Sequence, residues 1–99
     1  MTLRPRSEAE RDFAEAIAYY ITQETPQSAR RFKEEVDRVR DLIAEDPHRY
    51  PPDNDNLRAW PLDRRFPYRI LYTIDSEEEI GIIAIYHNRR SKNRLMRRL

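Results

Sequence analysis

The residues best suited to chemistry here are arginines. Arg58, Arg64, Arg65, Arg69, Arg89, Arg90, Arg94, Arg97 and Arg98 all fall in the C-terminal half, and of the chain's 19 basic residues only Lys33 and Lys92 are lysines. A guanidinium presents a planar fork of donors that grips phosphate or carboxylate through two parallel hydrogen bonds, and it stacks on flat rings. Arg69, Arg89 and Arg90 are therefore candidate catalytic or anion-holding groups. Arg58, Arg64, Arg65, Arg94, Arg97 and Arg98 are candidates for a wider target- or anion-binding surface. His87, immediately upstream of Asn88-Arg89-Arg90, is either a strand-end residue hydrogen-bonded for structure or a group titrating near neutrality beside those cations. His48 stands among prolines and reads as a solvated loop residue.

Other chemistries are poorly supplied. Two histidines at no metal-ligand spacing and a complete lack of cysteine make a metal site improbable and rule out thiolate chemistry and disulfides. Ser7, Ser28, Ser76 and Ser91 sit at helix starts or turns, outside any nucleophile-elbow pattern. A single glycine cannot build a phosphate-cradling loop. No cofactor is expected. Glu34, Glu35, Asp37, Asp41 and Glu45 alternate with Arg30, Arg31, Arg38 and Arg40, the pattern of a solvated helix face with pairs four residues apart.

The elements that must position the arginines follow from hydrophobic spacing. Residues 2–5 form a short strand. Ser7-Glu8-Ala9-Glu10 reads as a capping box opening a helix with Phe13, Ile17, Tyr20 and Ile21 on its apolar stripe. Of Tyr19 and Tyr20, one is expected in the core and one at its rim. Thr25-Pro26 stops that helix and starts a second, as N-cap and first-turn proline, with Ala29, Phe32, Val36, Val39 and Ile43 at three- and four-residue steps. Asp46-Pro47 ends it. Residues 47–56 are a proline- and Asx-rich loop. Residues 57–62 form a short strand that Pro61 confines to an edge or an end.

Tyr68 to Ile74 is a strand with Ile70, Tyr72 and Ile74 on one face, which places Arg69 on the other. A polar turn over 75–79 leads into the strand 80–87, apolar on both faces and so central, pairing antiparallel with its predecessor. Residues 91–99 read as a short basic helix. The fold class is α+β: a strand, a helical hairpin, then a three-stranded antiparallel meander, with two helices on one face of a small curled sheet. The opposite face is then expected to carry much of the basic surface, with Arg64, Arg65 and Arg69 meeting Arg89 and Arg90 near one end. Like charges gathered without acids repel unless an anion comes between them, so such a convergence points to an anion site.

Bulk properties agree. At 99 residues the chain makes one domain, 1–99, and with 38% apolar against 37% charged residues its core must be thin. The net charge of +1 hides an asymmetry: residues 1–55 hold 9 basic and 13 acidic side chains, residues 56–99 hold 10 and 5, and His87 to Leu99 hold 6 basic and no acidic ones. That bias favours an anionic partner. The N-terminus lacks the apolar stretch of a signal peptide and no run is long enough to span a bilayer, so a cytoplasmic location without membrane association is expected.

The segments Leu57-Arg58-Ala59-Trp60-Pro61-Leu62, Arg65-Phe66-Pro67-Tyr68-Arg69-Ile70-Leu71-Tyr72 and Ile83-Ala84-Ile85-Tyr86-His87-Asn88-Arg89-Arg90 closely resemble the plasmid-stabilisation toxins of the RelE/ParE superfamily. Upstream, Ala9, Asp12-Phe13, Ile17, Tyr19-Tyr20, Ala29 and Arg31-Phe32 look like the helical hairpin of the same proteins. The likeness covers nearly the whole chain. It implies the growth-inhibiting toxin half of a type II toxin–antitoxin pair, held inactive by a smaller antitoxin encoded beside it, in a hetero-oligomer.

Two activities occur in the superfamily. RelE-like members cut messenger RNA on the ribosome without a metal, driving a 2′-hydroxyl onto the adjacent phosphate. ParE-like members poison DNA gyrase. By position, Arg69 matches the strand arginine of the RelE-like site and Arg89 its later arginine, while His87 and Arg90 match residues common in ParE-like sequences. Where relatives carry a tail aromatic, this chain has Leu95, which can neither stack on a base nor exchange a proton. The lysines around the RelE-like site are missing too.

Three readings result. The first, which the missing tail aromatic and lysines favour, is a ParE-like toxin that binds its target as a protein inhibitor rather than as an enzyme, with DNA gyrase the leading candidate. The second is a metal-independent endoribonuclease. The third is a decayed toxin that keeps only antitoxin binding.

Overall fold

The computed structural model describes residues 1–90, 95 and 97–99. The chain runs β1 (Thr2–Pro5), α1 (Ser7–Gln23), α2 (Pro26–Glu45), β2 (Arg58–Pro61), β3 (Tyr68–Ile74) and β4 (Glu79–His87). The strands form one sheet in the order β1-β4-β3-β2. β2, β3 and β4 make the antiparallel meander, and β1 returns to the sheet parallel to β4, with Thr2 opposite Glu79 and Pro5 opposite Ile82. Strand β4 is central, flanked by β1 and β3, as an apolar run on both faces requires. β1 and β2 are the edges, and on β2 Pro61 withholds no amide that the ladder needs.

The helical hairpin forms as its spacing predicts. Thr25 is the N-cap of α2: its hydroxyl oxygen accepts the Ser28 amide at 3.0 Å, with Pro26 behind it in the first turn. The start of α1 differs from expectation. Ser7 is already helical, Arg6 is the N-cap and makes no side-chain cap, so the capping box is not built. Glu8 and Glu10 in the first turn still favour the positive end of the helix dipole. The buried stripe of α1 is Ala9, Asp12, Ala16 and Tyr20, rotated from the predicted one: Phe13 and Ile17 are half-buried, and Ile21 is 50% exposed. Tyr20 is core and Tyr19 rim, at 51% exposure. Burial pushes the Tyr20 phenol up to about 12, so it stays a neutral apolar ring.

Phe32 on α2 is the hub of the main core. Its ring centroid lies 5.1 Å from Tyr20, 5.1 Å from Tyr68 and 5.5 Å from Phe66, in tilted and edge-on geometries that favour the ring quadrupoles. Beneath the helices lie Ile70 and Tyr72 of β3 and Ile80, Ile82 and Ile85 of β4. The Tyr72 hydroxyl donates to the Pro47 carbonyl at 2.7 Å, tying the proline-rich loop to the core.

A register shift in the β3–β4 ladder sets what the other face carries. Leu71 pairs with Ala84 and Tyr72 with Ile82, so Ile83 is an extra residue in β4. Alternation therefore resets at Ile83. Ile82 and Ile85 point to the helices, while Ile83, Ala84 and Tyr86 join Leu57, Leu71 and Leu95 in a second apolar cluster. This corrects the expectation of a mainly basic outer face, which is a small core in its own right. The chain's single glycine, Gly81, lies at the turn end of β4, where a Cβ would meet the Asp75 carboxylate oxygen at 2.6 Å. No described helix is long and apolar enough to cross a membrane.

Candidate functional site

The shift at Ile83 puts Tyr86 directly opposite Arg69 and His87 opposite Tyr68. The two pairs face opposite ways. On the outer face, the Arg69 guanidinium carbon lies 5.7 Å from the centroid of the buried Tyr86 ring, and Arg90 reaches the same ring at the same distance. Two cations sharing one aromatic ring are each attracted by it but repel one another. Arg69 is steadied further by donating to Asn88 Oδ1 at 3.1 Å. Among the described residues, Arg69, Arg89 and Arg90 form no ion pair with a carboxylate.

The tight turn after β4 presents Arg89 and Arg90. The Asn88 amide donates to the Pro67 carbonyl at 2.8 Å and the Arg90 amide to the His87 carbonyl at 3.0 Å. The Arg89 amide donates to His87 Nδ1 at 3.1 Å, which leaves the neutral imidazole its proton on Nε2. The ring packs edge-on against Tyr68 at 5.1 Å. Desolvation, then the charges of Arg89, Arg90 and Arg69, hold the His87 pKa below its ordinary 6.5, so it is neutral at physiological pH. Arg69, His87, Arg89 and Arg90 thus share one end of the sheet. Two shallow clefts border it. One of about 270 Å³ lies between Arg69 and the Tyr50–Asp53 loop, and one of about 140 Å³ lies between Arg90, Tyr19 and Tyr68, with Asp12 and Glu15 also lining it.

The remaining arginines are placed elsewhere. Arg65 turns towards α2 and pairs with Asp63 at 3.3 Å, beside a cleft with Arg31, Glu34 and Arg38. Arg64 is exposed in the same turn. Arg58 is half-buried, its Nη1 donating to the Tyr50 carbonyl at 2.6 Å. Arg97 is exposed near the chain end, and Arg94 lies outside the described residues. Arg98 is held by acids: it forks onto Asp12 at 2.6 and 3.0 Å and reaches Glu8 at 3.2 Å. The anion-accessible group that converges is therefore Arg69, Arg89 and Arg90.

Two carboxylates carry roles that charge patterning missed. Glu35 is not on a solvated face: nearly buried, it holds Arg38 through both oxygens at 2.7 and 2.8 Å and accepts the Asp63 amide at 2.6 Å. The Arg38 bonds keep its pKa below the usual carboxylate value. Asp12 is buried in the α1 stripe. Its position is the missed signal, because Ala9, Asp12, Ala16 and Tyr20 recur at helical spacing and an acid inside an apolar stripe must find a partner.

The geometry has counterparts. A family model for the ParE toxin of the type II toxin–antitoxin system parDE matches residues 3–92. No curated protein matches the chain. Among solved structures, a chain of the chromosomal ParDE TA system from P. aeruginosa superposes with a TM-score of 0.72 at 22% identity, covering 88% of this chain and 95% of that one. At that identity the superposition speaks for the fold: two helices against a four-stranded curled sheet. With the match running through nearly every element from β1 to the arginine turn, the chain belongs to the ParE toxin family of type II toxin–antitoxin systems, within the RelE/ParE superfamily.

Proposed function

We propose that this toxin inhibits growth by binding a target protein through the Arg69–Arg89–Arg90 end of its sheet, with DNA gyrase the leading target. It acts in the cytoplasm and is neutralised there by a cognate antitoxin with which it forms a hetero-oligomer. The observation that carries the reading is the pair of guanidinium groups over Tyr86, ordered by the ring and by Asn88, with no ion pair to a carboxylate among the described residues. Such a pair is ready to meet acidic groups on another molecule. The solved ParDE system supports an antitoxin as the neutralising partner. Leu95 supports an inhibitor rather than a nuclease, since it is buried against the sheet and has no group that exchanges protons.

A second reading rests on His87. A neutral imidazole beside three arginines has the components of a metal-independent endoribonuclease, the arginines holding phosphate and the ring accepting a proton.

Induced expression separates them. Arg69→Ala and Arg90→Ala are each expected to abolish growth arrest while circular dichroism stays unchanged. Arrest with a DNA-damage response favours the first reading, and arrest with cleaved transcripts the second. Full arrest in both variants removes the arginine site. No arrest from the parent chain leaves a decayed toxin that keeps antitoxin binding alone. Co-expression of an acidic protein encoded next to the gene restores growth if it is the antitoxin.

A further inference from the structure

β1 pairs with β4 only as far as Ile82, and among the described residues no strand pairs with the outer edge of β4 beyond it. Unpaired amides and carbonyls at such an edge need partners. Here side chains supply them. Asp12 Oδ2 accepts the Ile85 amide at 3.1 Å, and Arg98 Nη1 donates to the Ile83 carbonyl at 3.3 Å while forking onto the same Asp12 carboxylate. An ion pair between residues from opposite ends of the chain stands where the next strand would.

The pair is well enclosed, with side-chain exposures of 6% for Asp12 and 17% for Arg98. Arg98 also gives its carbonyl to Arg6 Nη1 at 2.9 Å. On the outer face Leu95, 1% exposed, fills the centre of the second apolar cluster. The chain end is thus pinned twice: Leu95 against the sheet and Arg98 against α1. Upstream, Asn88 is pinned to Pro67. Arg89 and Arg90 lie between these anchors, so their freedom depends on both.

We infer that Asp12 and Arg98 are positioning residues for the arginine site, a clamp that holds the chain end against α1 and thereby keeps Arg89 and Arg90 beside Arg69. The inference rests on the proposed role of that site. Asp12 and Glu8 neutralise Arg98, so the anchor itself adds no unpaired charge near the three arginines. With the clamp open, the Arg89–Arg90 turn loses its downstream anchor.

The test uses the full-length protein with Asp12→Asn, which keeps shape and an acceptor for the Ile85 amide, and Arg98→Gln, which removes the fork near the chain end. Two quantities are read: amide hydrogen exchange at residues 88–90 against residues 32–39 of α2, and the inducer level that arrests growth. Exchange at 88–90 should speed by about tenfold or more while α2 is unchanged. Arrest should need about tenfold more inducer, because a site held loosely binds poorly.

Unchanged exchange at 88–90 in Arg98→Gln overturns the clamp. Faster exchange with undiminished arrest overturns its role in positioning. Should Asp12→Asn fail to fold, Arg98→Gln decides alone. Arg69→Ala keeps the two claims apart: if it loses arrest while the clamp variants keep it, this inference falls and the arginine site stands.

Discussion

The two faces of the sheet are built on different principles. The inner face is covered by α1 and α2, whose apolar stripes lay Phe32, Val36, Val39 and Ile43 over Ile70, Tyr72, Ile82 and Ile85. Among the described residues the outer face has no covering element of comparable size. There Leu95 packs with Leu57, Leu71, Ile83, Ala84 and Tyr86, and Arg69 and Arg90 lie against the Tyr86 ring. One face supplies stability through many redundant contacts. The other is a minimal core whose chief product is an ordered pair of cations. A thin cover lets a functional group be held and yet reach solvent, which a fully packed face cannot do.

The contrast can be broken from either side. The largest effect is expected from Phe32→Ala, which empties the hub of four aromatic contacts and should cost about 3–5 kcal/mol in urea or thermal unfolding. Leu95→Ala removes a fully buried side chain from the smaller outer cluster and should cost about 2 kcal/mol, at the low end for a buried leucine. A loss equal to that of Phe32→Ala would make the two faces equivalent and defeat the comparison.

Tyr86→Leu keeps an apolar side chain but removes the ring under Arg69 and Arg90. We expect about 1 kcal/mol of stability lost, with weaker binding of a polyanionic probe measured by titration. If the proposed arginine site is right, Arg69→Ala should change stability by no more than about 0.5 kcal/mol while abolishing growth arrest.

The smallest effect is a pH dependence. His87 binds its proton less readily folded than unfolded, so the unfolded chain takes up the proton first as the pH falls. Stability should therefore decline as pH falls below about 6.5, with a shallower slope in His87→Asn. An anion bound to the arginines cancels part of their repulsion, raises the His87 pKa and should bind more tightly as pH falls through the same window. Affinity independent of pH would place the anion away from His87.

How far these features could be read beforehand depends on their range along the chain. Thr25-Pro26 acts within three residues, and the amide it caps lies where spacing puts it. Ser7 shows the limit: a matching four-residue pattern formed no cap, because the helix begins one residue earlier than the pattern assumes. Arg69 was placed on the outer face by strand alternation alone. Its ring partner was not, because alternation in β4 is reset at Ile83, and a shift of one residue swaps every later side chain to the other face. Nor could charge counts separate Arg98 from Arg90. One forks onto Asp12 across 86 residues of chain, and the other forms no ion pair among the described residues.

By itself, then, the sequence determined the elements from residue 2 to residue 87, their order, the helical hairpin, the central place of the 80–87 strand and the kinship, since each is written in local spacing or contiguous motif. The helix expected over 91–99 lies largely outside the described residues. Tertiary structure alone decided that β1 joins parallel to β4, that the outer face is a second core, and which arginines are neutralised. Those outcomes are contacts between distant residues, and their energies depend on separations and burial that exist only once the chain has closed on itself.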